Sequence, residues 1–186
     1  MNIELNSLRE RIEKLTFNFY GLEVPRILLG TSPFIGAGQF GGKSIIYYRR
    51  FYMKPENIVN LVCFCMELGV LGIQLLPYSR LVKAVKKAEE IVGKELTVIA
   101  VIGPDNPKED IEKFSGLKIA AILLHAGLTD IRNQKLISSL MKEIEKEDYI
   151  PGLATHKPYS TLIWLEELSL KPVSYTHLTL PTTERG

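Results

Sequence analysis

Long hydrophobic runs are missing from this chain of 186 residues. None approaches the roughly 18 apolar residues that a membrane-spanning helix requires, so no helical span is expected in it. Its opening, MNIELNSLRERIEKL, mixes acids and bases where a secretory leader would carry an apolar centre. Charge of one sign is just as scarce: 23 Lys and Arg against 21 Asp and Glu leave a net charge of +2. That balance gives no reason to expect nucleic acid or an anionic membrane as a partner. Cysteine occurs only at Cys63 and Cys65. Two residues apart in an apolar helical pattern, they point in different directions and do not readily bridge. They read as reduced core residues, which fits a cytoplasmic protein.

What is present is the composition of a globular domain, 46% hydrophobic and 24% charged, at a length that supports one sizeable core. Leu5, Leu8, Ile12 and Leu15 have helical spacing with charges between them. Phe17-Asn18-Phe19 alternates, Tyr20-Gly21 turns, and Leu22 to Leu29 continues through Pro25, which predicts a hairpin leading into a first strand. Ile27-Leu28-Leu29 shows no alternation, the pattern of a strand buried on both faces. From Lys54 onward a unit repeats. Pro55 opens a helix striped by Ile58, Leu61, Val62, Cys65 and Leu68, and Gly72 to Leu76 is a second strand stopped by Pro77. Leu81, Val82, Val85, Ala88 and Val92 share a face of the next helix, and Leu96 to Ile102 is the third strand. Asn106-Pro107-Lys108-Glu109 reads as a capping box. Ile119 to Leu124 and Tyr149 to Ala154 are the fourth and fifth strands, followed by helices over Leu136 to Ile144 and Ser160 to Leu168.

Five apolar strands separated by helices predict an α/β fold with a parallel sheet. A polar residue closes every strand: Thr31, Gln74, Asp105, His125, and Thr155 with His156. That suits the C-terminal face of a barrel better than an open doubly wound sheet. The expectation is the N-terminal part, about five βα units, of a TIM-type (βα)8 barrel preceded by a helix and a hairpin, since a full barrel takes about 250 residues. Val173 to Thr183, VSYTHLTLPTT, departs from the repeat and resembles translated sequencing-adapter read-through. Residues 1–172 are therefore expected to be an incomplete barrel domain and 173–186 a non-native tail. Open strand edges in such a fragment predict self-association, and the fragment by itself is expected to be inactive.

Ligands of α/β proteins gather at the C-terminal ends of parallel strands. The candidates are Thr31 and Ser32 after the first strand, Gln74 and Tyr78 around the second, and His125, His156 and Lys157 after the fourth and fifth. A glycine-rich loop rims them, from Gly36 and Gly38 to Gly41 and Gly42. Gln74 is an amide in an otherwise apolar strand, so it either bonds neighbouring strands or faces a ligand. Each histidine alone is more often structural; two at strand ends in adjacent units form a sharper signal. His125 is expected to donate a proton or polarise a carbonyl, its pKa tuned by burial. Asp130 either caps a helix N-terminus or serves the site. No residue is assigned to a metal, but His156 is the partner His125 would share one with, and Asp105 or Asp130 would add an oxygen. Ala37 to Ser44, AGQFGGKS, matches a relaxed phosphate-binding loop, yet it begins five or more residues after its strand ends, where a true loop follows directly. A glycine-rich loop with a solvated lysine is the better reading. Tyr47-Tyr48-Arg49-Arg50-Phe51-Tyr52 is read as aromatics covering the barrel mouth or packing on the first helix, with arginines in water or reaching an anionic substrate.

YGLEVPRILLGTSPF resembles the opening of aldo/keto reductases, where a hairpin with Gly-Leu-Glu-Val runs into a first strand ending Gly-Thr. GIQLLPYS resembles that family's second strand, normally Phe-Asp-Thr-Ala followed by a catalytic tyrosine, and ILLH resembles the fourth, whose catalytic histidine His125 matches. The resemblance implies an eight-stranded barrel that reduces a carbonyl on a small-molecule substrate with a nicotinamide cofactor, NADP. It places His125, Tyr78 and Gln74 at the catalytic centre; position at or just beyond the strand ends assigns Thr31 and Ser32 to the cofactor and Gly36, Gly38, His156 and Lys157 to the substrate. Gln74 stands in place of the family's catalytic aspartate, only Tyr78 stands in for the tyrosine, and Ile102-Gly103-Pro104-Asp105 offers no lysine. The expected function is thus an oxidoreductase of this type with altered catalytic residues. The alternatives are a lyase or aldolase, a metal-assisted barrel enzyme, a barrel that only binds and, weakest, nucleotide binding at 37–44.

Overall fold

The computed structural model describes residues 2–167 and 175–177. The chain packs as two compact units, Met1–Ala100 with Ile111–Ala120, and Val101–Asp110 with Ala121–Gly186.

In the first unit, α1 (Asn2–Glu13) precedes the antiparallel hairpin of β1 (Thr16–Phe19) and β2 (Leu22–Pro25). Tyr20 and Gly21 both adopt positive φ, as the tightest hairpin turns require. The apolar spacing of α1 produces the helix but not a buried face, since Leu5 and Leu8 are each 45% exposed. β3 (Leu29–Gly30) then pairs in parallel with β4 (Gly72–Leu75), and β4 with β5 (Thr97–Ile102). The register places Gly30, Gln74 and Ile99 side by side. The first strand is not buried on both faces as its composition predicts: Ile27 is exposed and Leu29 only half-buried. β3 ends the strand order and has a hydrogen-bonded neighbour on one side only.

Residues 31–52, which read as an irregular loop, instead form two 3-10 turns (Ser32–Ile35 and Gly38–Lys43), α2 (Ser44–Tyr47) and a π-helical turn (Tyr48–Tyr52). Fully buried Phe34 lies 5.2 Å from Phe51, and Tyr48 stacks on Tyr52 at 5.0 Å. Gly36 sits at φ +61°, where a Cβ would run into the carbonyl oxygen of Ser44 and come within 2.8 Å of Tyr48 Cβ, so glycine is required there. α3 (Pro55–Glu67) starts at its proline and buries Ile58, Val62 and Met66, one side chain per turn. Cys63 and Cys65 flank that stripe and are half-buried free thiols rather than core residues. Burial pushes both thiols above their usual pKa. α4 (Ser79–Val92) packs against α3, buries Leu81, Val82, Ala84, Val85 and Ala88, and stops at Gly93 in the left-handed conformation. Each fully buried Leu, Ile or Met side chain of this kind stabilises the fold by roughly 1.5–3 kcal/mol.

α5 (Pro107–Lys113) opens at the proline of the predicted capping box, and β6 (Lys118–Leu124) follows it. The second unit then runs through α6 (Ala126–Thr129), α7 (Gln134–Lys146), β7 (Pro151–Thr155), α8 (Pro158–Glu167) and β8 (Tyr175–His177). β6 pairs in parallel with β7, and β7 with β8. Asn133 caps α7 by accepting the Leu136 N–H, and the helix buries Ile137, Leu140, Met141 and Ile144. Strand order follows chain order throughout, β3-β4-β5-β6-β7-β8. The parallel α/β sheet with helical crossovers expected from the non-alternating strands is therefore present. β8 falls within the segment expected to be a non-native tail; the rest of that segment, the residues at the 172/173 boundary and Leu168 lie outside the described residues. Among the described residues no helix is long and apolar enough to cross a membrane.

Candidate functional site

The candidate residues divide between the two units, and each group has its own chemistry. In the second, β6 ends at Leu124 and the ladder continues for one more bond, from His125 N–H to Ile102 O at 2.9 Å. The His125 side chain then caps α6, its Nδ1 accepting the Gly127 N–H at 3.1 Å. An Nδ1 that accepts carries no proton, so the neutral ring holds its hydrogen on Nε2. Burial lowers the pKa of His125, a nearby charge on His156 lowers it further, and Asp130 pulls weakly the other way. The ring therefore stays neutral at neutral pH and offers Nε2–H as a donor.

β7 closes at Thr155, and Pro158 starts α8 with the fixed φ and missing N–H that suit a first helical position. Asp130, at the C-terminal end of α6 rather than at a helix N-terminus, reaches Thr155 and His156. Its Oδ1 accepts the Thr155 hydroxyl at 2.5 Å, and its Oδ2 accepts the His156 N–H at 3.3 Å and the His156 ring at 3.0 Å. Thr155 has a single proton and commits it to the carboxylate, so Thr161 must donate to Thr155 across their 2.9 Å contact. The Lys157 N–H also ends on Thr155 Oγ1, at 3.0 Å. Burial alone would raise the Asp130 pKa; the bonds from Thr155 and from the backbone and ring of His156 outweigh it and hold the carboxyl below its usual range. An ionised carboxylate only accepts, so His156 donates from Nδ1, and its neutral form then carries the lone pair on Nε2. The pair is partly open to solvent, with the His156 side chain about half exposed.

In the first unit, Gln74 is 8% exposed and its buried Nε2 has no hydrogen-bond partner among the described residues. Of the two expectations for this amide, bonding by Nε2 to neighbouring strands is not met. Thr31, the residue after Gly30, is buried, and its Oγ1 accepts the Leu76 N–H at 3.4 Å. Ser32 begins the first 3-10 turn. Tyr78 precedes α4, exposed, its ring perpendicular to that of Tyr52 with the ring centroids 6.2 Å apart. The Arg80 guanidinium lies 5.1 Å over the Tyr52 ring and donates to Tyr52 O at 3.0 Å. Residues 47–52 thus pack into a local aromatic cluster, and Arg49 and Arg50 stay exposed. Gly36 is a steric necessity, whereas a Cβ on Gly38 would meet nothing within 4 Å. Ser44, which would hold magnesium in a phosphate-binding loop, donates its hydroxyl to Ala37 O at 2.8 Å.

Sequence reading reached His125, His156, Asp130 and, as a polar residue at a strand end, Thr155, but missed that Thr155 holds the carboxylate and that Thr161 supports it through Thr155. A signal was available: Pro158 marks a helix start, which puts Thr155 where a short hydroxyl side chain meets backbone N–H groups left open at a helix start. Among the described residues no group of three or more His, Cys, Asp and Glu is disposed to hold a metal, so the set of His125, His156 and Asp105 or Asp130 is not assembled as a metal centre. No family model matches this chain, and no curated protein matches it in sequence.

Proposed function

We propose that this chain carries part of a (βα)8-barrel enzyme of the aldo/keto reductase type with altered catalytic residues, acting on the carbonyl of a small metabolite in the cytoplasm. The observation that carries the reading is His125. It stands at a strand end, its Nδ1 is tied to the Gly127 N–H, and burial keeps the ring neutral, so Nε2–H is the donor a carbonyl oxygen needs. Its place at the end of ILLH is also where the resemblance puts a catalytic histidine. The parallel sheet in chain order supports the barrel. NADP is the cofactor this reading carries. Within the first unit, the buried Nε2 of Gln74, a donor without an acceptor among the described residues, suits a ligand oxygen, with Thr31 and Ser32 following its register partner Gly30. A bound nicotinamide would supply the hydride. Gln74 does not ionise, so it orients by hydrogen bonding and does not support a proton transfer as an aspartate does.

The test is NADPH titration of the full-length parent enzyme followed by nicotinamide fluorescence, together with carbonyl-dependent NADPH oxidation by wild type and His125→Ala. Binding with oxidation lost at least about 10²-fold in the variant is the expected result. No binding removes the reductase type, and binding without turnover by either protein identifies a barrel that only binds.

A further inference from the structure

We propose that Asp130, His156 and His125 form a proton-transfer site that enolises a small carbonyl compound, with the Asp130–His156 pair as base and His125 as donor to the carbonyl oxygen. The inference shares with the reading above only the carbonyl at His125, and it requires no nicotinamide. The argument lies in the two tautomers. The Gly127 N–H occupies Nδ1 of His125 and leaves Nε2–H; the Asp130 carboxylate occupies Nδ1–H of His156 and leaves an Nε2 lone pair. His125 opens α6 and Asp130 closes it, so the two imidazoles flank one short helical turn and, both neutral, are held in opposite tautomers, one ready to give a hydrogen bond from Nε2 and one ready to take a proton there. Thr155 and the His156 backbone orient the carboxylate, and Asp130 in turn orients the ring and stabilises the imidazolium that forms, the role an aspartate plays behind any histidine base.

The step balances without a co-reactant. His156 Nε2 takes the proton from the carbon beside the carbonyl. The C–H electron pair becomes the C=C bond, and the carbonyl π pair moves to the oxygen, which His125 Nε2–H stabilises. Return of a proton from His156, after exchange with solvent, regenerates the ketone.

The experiment is proton NMR of hydroxyacetone in deuterated buffer with the full chain and no nicotinamide. Wild type should replace the α-hydrogens with deuterium well above the buffer rate. His156→Ala should lose that excess by about 10²–10⁴-fold, the usual worth of a general base, and added imidazole should restore part of it. His156→Gln, whose amide N–H can still donate to Asp130, tests the base without removing the bond; it should lose exchange equally if His156→Ala fails to fold. Exchange at the buffer rate in wild type, or undiminished exchange in folded His156→Gln, overturns the proposal. A chain that exchanges hydroxyacetone protons but ignores NADPH keeps this site and ends the reductase reading. One that oxidises NADPH through His125 without exchange does the reverse.

Discussion

Gln74 in β4 and Thr155 at the end of β7 are both polar and both buried, at 8% and 2% exposure, and they are partnered in opposite ways. Thr155 gives its proton to Asp130 and receives from Thr161 and from the Lys157 backbone, so the hydroxyl is used in full. Gln74 Nε2 has no partner among the described residues. A buried donor left unbonded costs about 1–3 kcal/mol, whereas a bonded one holds neighbouring elements in place. Thr155 therefore belongs to the scaffold of its site, and Gln74 to a position where a ligand can supply what the protein does not. The same contrast recurs within one residue type, because Thr129 is 0% exposed and its hydroxyl also lacks a partner among the described residues.

The comparison can be broken most sharply at Thr155. Thr155→Val keeps the shape and strips Asp130, Thr161 and the Lys157 N–H of their partner, and should destabilise by about 2–3 kcal/mol in urea unfolding. Gln74→Met should move the opposite way, raising stability by about 1–2 kcal/mol, since it removes the unbonded Nε2 donor and leaves a thioether of similar length. A loss of stability instead would mean that Nε2 has a partner, and the contrast would vanish. Thr129→Val should gain about 1 kcal/mol or less by the same logic. The smallest effect is a pH slope. His125 has a folded pKa below its unfolded 6.5, so as pH falls past 6.5 the unfolded chain takes up a proton that the folded chain refuses, and stability declines. His125→Asn, which can still accept the Gly127 N–H, should flatten that decline in urea midpoints measured across mildly acidic pH. Asp130 acts in a separate, lower window: the stability from its lowered pKa is present above about 3.8 and is lost as pH falls through its folded value.

Much of the fold was legible because each strand is an apolar run ended by glycine, proline or a polar residue, and these stops act locally. Gly72 to Leu75, Thr97 to Ile102 and Lys118 to Leu124 emerge within a residue or so of expectation. Burial was less legible, because it depends on what lies opposite. Ile27 and Leu29 have the composition of a central strand and lie at an edge; Cys63 and Cys65 have the composition of a core and flank one. The turns at 32–52 escaped notice because Phe34 with Phe51, and Tyr48 with Tyr52, hold them by ring packing that no periodicity records. At the candidate site, the type and place of His125 and His156 were readable from strand ends. Their tautomers were not, since those depend on Gly127 and Asp130, residues whose own roles follow from the turn that α6 makes.

The glycines of 36–42 are a last case in which look-alike letters have different standing. Position 36 is closed to every side chain by Ser44 and Tyr48, and position 41 favours glycine through its φ of +52°, but 38 and 42 have room for a Cβ and no such φ. Over evolutionary time the first two should resist replacement for the sake of the backbone alone. The other two should drift freely unless something outside the chain presses against them. When relatives of this protein are gathered, variation confined to 38 and 42 will mark the loop as architecture, and glycine kept at all four will betray a ligand lying along it.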